Sequence, residues 1–217
     1  MPSRPPWTRF STKKRKNNMK VTVKRPADFT PKPWKNGLGI TREIHIHPEG
    51  ATVEKGDFLW RISSADVTAG GPFSPYPGFD RILFLLTGGG LDLELRGMKV
   101  SLAAPFSSVR FRGEDDVMCS LPGGPCTDLN IISSRDAVSC EYRRFTVRAG
   151  GRRLFLLGGQ TALLCLRGAV RARWEGGEAS LEELGLLLLE DYPCNFPLWC
   201  SPEGEGEVLL VTITERP

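Results

Sequence analysis

Histidine is nearly missing from this chain: two in 217 residues, His45 and His47. A metal centre needs three or four ligands converging on one ion, and no third imidazole exists to complete a His-rich one. The six cysteines (119, 126, 140, 165, 194 and 200) form no C-x-x-C pair, and without a secretion signal an even count does not imply disulfides. Free thiols without a catalytic role are expected, with Cys165 in "ALLCLR" a small buried hydrophobe. G-x-S-x-G and a Cys–His pairing are both absent, and "TGGGLDLEL" leads into a strand instead of a phosphate-holding helix N-terminus. No catalytic residue is assigned on these grounds. Apolar runs of membrane-helix length and the apolar core of a signal peptide are also lacking. The expected setting is the cytoplasm, with no membrane partner.

Charge of one sign is missing from the start of the chain. Residues 1 to 20 hold seven basic groups and no acid, which leaves 22 basic against 25 acidic residues beyond them, a net of −3. A nucleic-acid binder needs its basic footprint on a folded face. Here the basicity lies in a Pro-, Ser- and Lys-rich leader, residues 1–18, that reads as disordered. No nucleic-acid partner is expected.

What is present is β-type sequence. From Lys20 onward, short apolar runs such as "KVTV", "RILFLL", "LDLEL", "ALLCL" and "EVLLVTIT" are cut by "HPEG", "TGGG", "LPGGP" and "EGGE". Many short strands without helical crossovers indicate an all-β antiparallel sandwich or jelly roll, not a βαβ fold. "SLEELGLLLLED" is the one helix-like rival, with Ser180 and Glu183 at capping-box spacing; Gly185 and the apolar run behind it favour a short helical turn leading into a strand. "LTGGGLDLELRGMKVSL" (86–102) can be laid over "LRGAVRARWEGGEASL" (166–181), a spacing of about 80 residues that suggests two similar β-barrel halves.

The segment "GITREIHIHPEG" sets a Gly, then five residues, then His-x-His, and resembles the first half of a cupin metal box. Glu49 follows too soon for that box, and the region of a second box, "PFSPYPGFDRILFLL", holds no histidine. No metal and no cofactor are expected. The same segment belongs to another pattern. "PWKNGLGITREI", "WRISSADVTAGGPFSPYPGFDRILFLLTGGG", "APF" and "DLNIISSR" occur in order over residues 20 to 135 and resemble the HutD/Ves family. The resemblance implies a bicupin: two double-stranded β-helix (jelly-roll) barrels with few short helical turns. It divides the chain into an N-terminal cupin-like barrel at 19–135 and a C-terminal half at 136–217. It also implies a link to histidine utilisation or stress responses and the binding of a small acidic metabolite, formylglutamate among the candidates.

Strand alternation then assigns faces. In "WRISSA", Trp60 and Ile62 share one face while Arg61 and Ser63 share the other; in "DLNII", Asp128 and Asn130 lie opposite Leu129 and Ile131. In "TREIHIH", Thr41 and Glu43 go with the histidines, and Arg42 with Ile44 and Ile46. Polar residues inside an apolar barrel are costly unless satisfied, so these mark networks or a ligand site. Arg42, Glu43, Arg61, Ser63, Asp128 and Asn130 can line a pocket that reads a carboxylate through an arginine fork. Arg42–Glu43 and Asp80–Arg81 read equally well as ion pairs stapling loops to the sheet, and Arg81 remains a candidate. Trp34, Asn36, Gly37 and Gly39 form a tight loop over the barrel mouth, with Trp34 as a lid. Phe73 and Phe79 read as core. If Glu43 and Asp128 pair with Arg42 and Arg81, Arg61 is left to an external anion.

The leading expectation is a metal-free bicupin that binds a small anionic metabolite in a regulatory or sequestering role, with a homodimer left open. A metal-independent isomerase or lyase using Glu43 or Asp128 as general base is the alternative, and a metal-dependent oxygenase comes third. Purified protein is expected to carry no stoichiometric transition metal or zinc. Elemental analysis near one metal per chain, lost in the His45→Ala/His47→Ala variant, would contradict this.

Overall fold

The computed structural model describes residues 19–34, 37 and 39–216, so the expectations for the leader and for Asn36 fall outside the described residues. A short leading strand β1 (Lys20–Lys24) precedes the single 3-10 turn among them, Pro26–Asp28. The first half then runs through β2 (Thr30–Pro33), β3 (Gly39–His47), β4 (Trp60–Val67), β5 (Gly71–Pro72), β6 (Phe79–Gly88), β7 (Leu91–Leu95), β8 (Met98–Leu102), β9 (Ser108–Arg112), β10 (Val117–Ser120) and β11 (Cys126–Ser134). The second half comprises β12 (Val138–Val147), β13 (Arg152–Leu156), β14 (Gln160–Arg167), β15 (Val170–Trp174), β16 (Gly177–Leu181), β17 (Leu186–Glu190), β18 (Phe196–Pro202) and β19 (Gly206–Glu215). The fold is all-β, as the strand pattern indicated. The rival helix at 180–191 is instead the end of β16, a turn over 182–185 and β17, and Ser180 sits in a strand with no cap to make.

Four sheets account for every strand. The first half pairs a large sheet, ordered β2-β3-β4-β11-β6-β9, with a small one, β5-β10-β7-β8. The second half pairs β1-β17-β14-β19-β12 with β13-β18-β15-β16. Adding eight to each label in β4-β11-β6-β9 gives β12-β19-β14-β17, and the small sheets correspond in the same way. The sequence repeat is therefore a duplication of eight strands, with the hairpins β7–β8 and β15–β16 as the part visible in the residues. β1 departs from a division that starts the first half at residue 19: it hydrogen-bonds antiparallel to β17, Lys20 opposite Glu190 and Lys24 opposite Leu186.

The layering explains why the central strands read as unbroken apolar runs. Ile82, Phe84 and Leu86 of β6 face the opposite large sheet, where Leu164, Leu186, Leu188, Leu209 and Val211 meet them around Trp60. Leu83 and Leu85 of the same strand face the other way, against Leu91, Leu93 and Leu95 of the small sheet. In the second half Leu163, Leu187, Leu189 and Leu210 likewise turn away from the junction, onto Val170, Ala172 and Leu198. Three apolar cores thus alternate with four sheets, and the large sheets bury both faces. All six cysteines are unpaired and five are buried.

The middle core has a polar rim. The Trp60 indole N–H donates to Gln160 Oε1 at 2.7 Å, and Gln160 Nε2 donates to Glu190 Oε1 at 3.2 Å. Trp60 lies on β4 and Gln160 on β14, so this bond ties the two halves together. Gln160→Leu would leave a buried indole donor unsatisfied, a cost of about 1–3 kcal/mol. Its melting temperature is expected to fall by about 2–4 °C per kcal/mol lost; a melting curve matching the parent's would show that the bond adds nothing.

Candidate functional site

Because Trp60 and Ile62 are committed to the junction, alternation turns Arg61, Ser63, Ala65 and Val67 into the first half. Three strands side by side, β4, β11 and β6, build a wall in three rows. Arg61, Ile132 and Arg81 form the first row; Ser63, Asn130 and Leu83 the second; Ala65, Asp128 and Leu85 the third. A cavity of ≈ 550 Å³ opens over this wall, bounded elsewhere by Trp34, Thr41, Phe73 and Tyr76. Beyond the third row the interior is apolar and filled.

Arg61 points inward as expected, but its surroundings differ from expectation. Its Nε donates to Glu43 Oε2 at 2.9 Å and its Nη1 to Ser63 Oγ at 3.1 Å. Glu43 reaches it because the pairing of β3 with β4 slips between Glu43 and His45: Glu43 stays opposite Ser63 while His45 lies opposite Ile62. The extra residue, Ile44, forms a bulge, and a bulge reverses the faces of the residues after it. The placement of Glu43 with the histidines is thereby corrected. His45 and His47 stack instead on Trp60 at the junction, with ring centroids 4.8 and 5.4 Å away. Burial, with the charge of Lys24, pushes the His45 imidazole down to about 4. No group of three or more His, Cys, Asp or Glu side chains is arranged to hold a metal among the described residues.

Arg42 is a second correction. It lies opposite Ser64, outside the cavity, and its Nη2 meets Asp66 Oδ2 at 2.6 Å. The Arg42 guanidinium holds the Asp66 carboxyl below its ordinary range. The Asp80–Arg81 pairing does not form either. Asp80 pairs with Arg135, which also grips Glu114 through two 2.8 Å contacts.

Arg81 has the most unusual environment. It is 5% exposed, and its guanidinium carbon lies 5.0, 5.4 and 4.9 Å from the ring centroids of Phe73, Tyr76 and Phe111. Phe73 packs against the first half's core, as expected, and is also part of a cation-π enclosure. The hydrogen bond from Arg81 Nη1 to the Ser74 carbonyl, 3.1 Å, is the only one its side chain makes among the described residues, and Nε has no acceptor. No carboxylate lies within ion-pair distance there. Burial pushes the Arg81 pKa down to about 10, so it stays a full cation at neutral pH. Asp128 faces the same cavity with Oδ1 unpartnered, as is Asn130 Oδ1. Burial pushes the Asp128 carboxyl up to about 7, against the pull of Arg81 and the Ala65 N–H.

Trp34 shapes the cavity's edge. Its indole N–H donates to Thr41 Oγ1 at 2.7 Å, and its backbone N–H to the Gly39 carbonyl at 2.9 Å. A Cβ on Gly39 would lie 2.6 Å from the Asp66 carbonyl and 3.0 Å from the Trp34 ring, which explains the glycine. Sequence reading missed Tyr76, Phe111 and the Ser74 carbonyl; the signal for Phe73 and Tyr76 was their place in a Pro- and Gly-rich loop, where aromatics have no strand core to fill.

The second half makes the contrast. Its matching strands β12, β14 and β19 turn Val147, Leu163, Cys165, Val208 and Leu210 inward, all buried. The same scaffold is lined mainly with apolar side chains in one half, where the buried Thr161 hydroxyl is partnered by Tyr192, and with two arginines, an aspartate and an asparagine in the other. Buried, incompletely satisfied polar groups cost stability, which makes the first half's cavity the candidate site.

A model of the HutD family matches residues 26–209. The chain is 32% identical over 192 residues to an uncharacterized 21.2 kDa protein in the hutC 3' region of Pseudomonas putida, covering 88% of this chain and 92% of that one. The structure of HutD from Pseudomonas fluorescens SBW25 superposes with a TM-score of 0.78 at 26% identity, over 91% of this chain and all of that one. A cupin 2 conserved barrel domain protein from Leptotrichia buccalis shares the fold, with a TM-score of 0.54 at 10% identity over 85% of this chain and 96% of its own.

The Asp128 shift fixes a pH dependence. Its folded pKa, about 7, lies above the ordinary carboxylate value near ~4, so the folded state holds the proton more tightly. The stability this contributes is present in acid and lost as pH rises from about 4 to about 7. Asp128→Asn removes that loss, so its melting temperature relative to the parent should rise between pH 5 and pH 8, by about 2–4 °C per kcal/mol recovered. Parallel curves of melting temperature against pH would refute the assignment.

Proposed function

This chain belongs to the HutD family, with its cupin-like all-β fold, and on that footing we propose that it binds a small carboxylate-bearing metabolite in the cavity of its first half. The observation that carries the reading is Arg81: a buried cation with no carboxylate within ion-pair distance among the described residues, facing the same cavity as Arg61. A desolvated guanidinium gains most from an anion that arrives with its own charge. Arg61, half-neutralised by Glu43, becomes the second contact instead of the anchor, since its Nη2 keeps no protein acceptor among the described residues. The reading is metal-free, places the protein in the cytoplasm alongside histidine utilisation, and gives it a regulatory or sequestering role. Formylglutamate is the first acid to test. No helix of the described residues is long and apolar enough to cross a membrane.

A second reading is favoured by one observation. An isomerase or lyase needs a carboxylate able to take and return a proton near neutral pH, and Asp128 faces the cavity with its carboxyl pushed up to about 7 by burial. Glu43, the other candidate base, is held by Arg61 on the wall's flank. A thermal-shift and calorimetric screen of histidine-pathway acids tests the first reading, and turnover of any hit followed by NMR tests the second. Arg81→Ala is expected to weaken binding by about tenfold or more, the equivalent of 1.4 kcal/mol, and Arg81→Lys to recover part, because a point charge cannot reproduce the fork. Unchanged affinity in Arg81→Ala would end the proposal.

A further inference from the structure

Resting on the carboxylate reading, we infer that the cavity selects carboxylates that also carry a hydrogen-bond donor, a hydroxyl or N–H, several atoms away from the acid group. The wall is chemically graded. Its first row supplies donors, Arg61 and Arg81; its second and third rows supply acceptors, Asn130 Oδ1 and Asp128 Oδ1, for which the protein provides no donor. Their neighbours explain why: Leu83 and Leu85 flank them on β6 and Ala65 flanks Asp128 on β4, and none has a polar side chain. Ser63, beside Asn130, accepts from Arg61 and makes no hydrogen bond to Asn130 Oδ1. A buried acceptor left without a donor costs as much as a lost hydrogen bond. Two of them side by side on one strand, each lining a cavity, are explained by a donor that arrives with the ligand.

The grading also sets the ligand's direction and length. Its anion lies toward the arginine row, and its donor lies toward Asn130 and Asp128. Successive rows along a strand are two residues apart, roughly 7 Å. About four methylenes between the carboxylate and a hydroxyl span one such step. A plain acid of the same length meets the arginines and leaves both acceptors empty.

Calorimetry with pentanoate and 5-hydroxypentanoate on the full chain tests this. The hydroxy acid is expected to bind about tenfold or more tightly, and the gap should close in Asn130→Leu or Asp128→Leu. The wild-type comparison stands even if a variant fails to fold. Equal affinities of the two acids overturn the donor requirement and leave the carboxylate reading in place. A gap that survives both single variants overturns it too, because the donor then goes elsewhere. Failure of both acids to bind at millimolar concentration overturns the carboxylate reading and the donor requirement together.

Discussion

Everything in this molecule depends on the apolar contact between its two large sheets. Trp60, Ile62, Phe84, Leu129 and Ile131 from one side interlock with Leu164, Leu188, Leu209 and Val211 from the other. Once these side chains are fixed in the junction, the period of two leaves their neighbours no choice of direction. Arg61 and Ser63 enter the first half because Trp60 and Ile62 cannot; Asn130 and Asp128 enter because Leu129 and Ile131 cannot. The site is a by-product of the junction's demand for apolar residues at alternate positions, and the Trp60–Gln160 bond locks that arrangement at its rim.

The duplication supplies a comparison that single folds rarely offer. Eight strands occur twice with the same order, so a position in one half has a counterpart in the other. The second half is packed with Leu, Val and Cys, and shows what the fold does when left to optimise burial. The first half gives up that packing around Arg81 and Asp128. The desolvation of the Arg81 guanidinium and of the Asp128 carboxyl is the cost of that exchange, and the aromatic rings around Arg81 offset part of it.

Much of this was legible in the residues. Turn-bounded apolar runs indicated the all-β class, the hairpin repeat betrayed the duplication, and alternation placed Arg61, Ser63, Asn130 and Asp128 on the inner face. Glu43 was assigned to the wrong company because a bulge breaks the period that such a reading assumes, and nothing in "TREIHIH" marks where the extra residue falls. The arginines were harder still. Arg42 with Asp66 and Arg61 with Glu43 pair across the neighbouring strands β3 and β4, Asp80 reaches Arg135 in the turn after β11, and long side chains can reach several carboxylates. Of the three candidate arginines, Arg81 is the one with no carboxylate within ion-pair distance among the described residues, and that emerged only after Arg42 and Arg61 had been placed.

The course of β1 has a consequence for how the molecule can be taken apart. The strand precedes the first half in the chain yet completes the sheet of the second, lying along β17 from Lys20 to Lys24. A fragment cut after β11 would carry this strand away from the sheet that needs it. The remainder would present Leu186 to Glu190 as a bare edge, with four consecutive leucines and unpaired backbone groups, the kind of edge that recruits other chains. The halves are thus laced by their own connectivity as well as by their core, and a cut between β11 and β12 does not leave each sheet with all its strands.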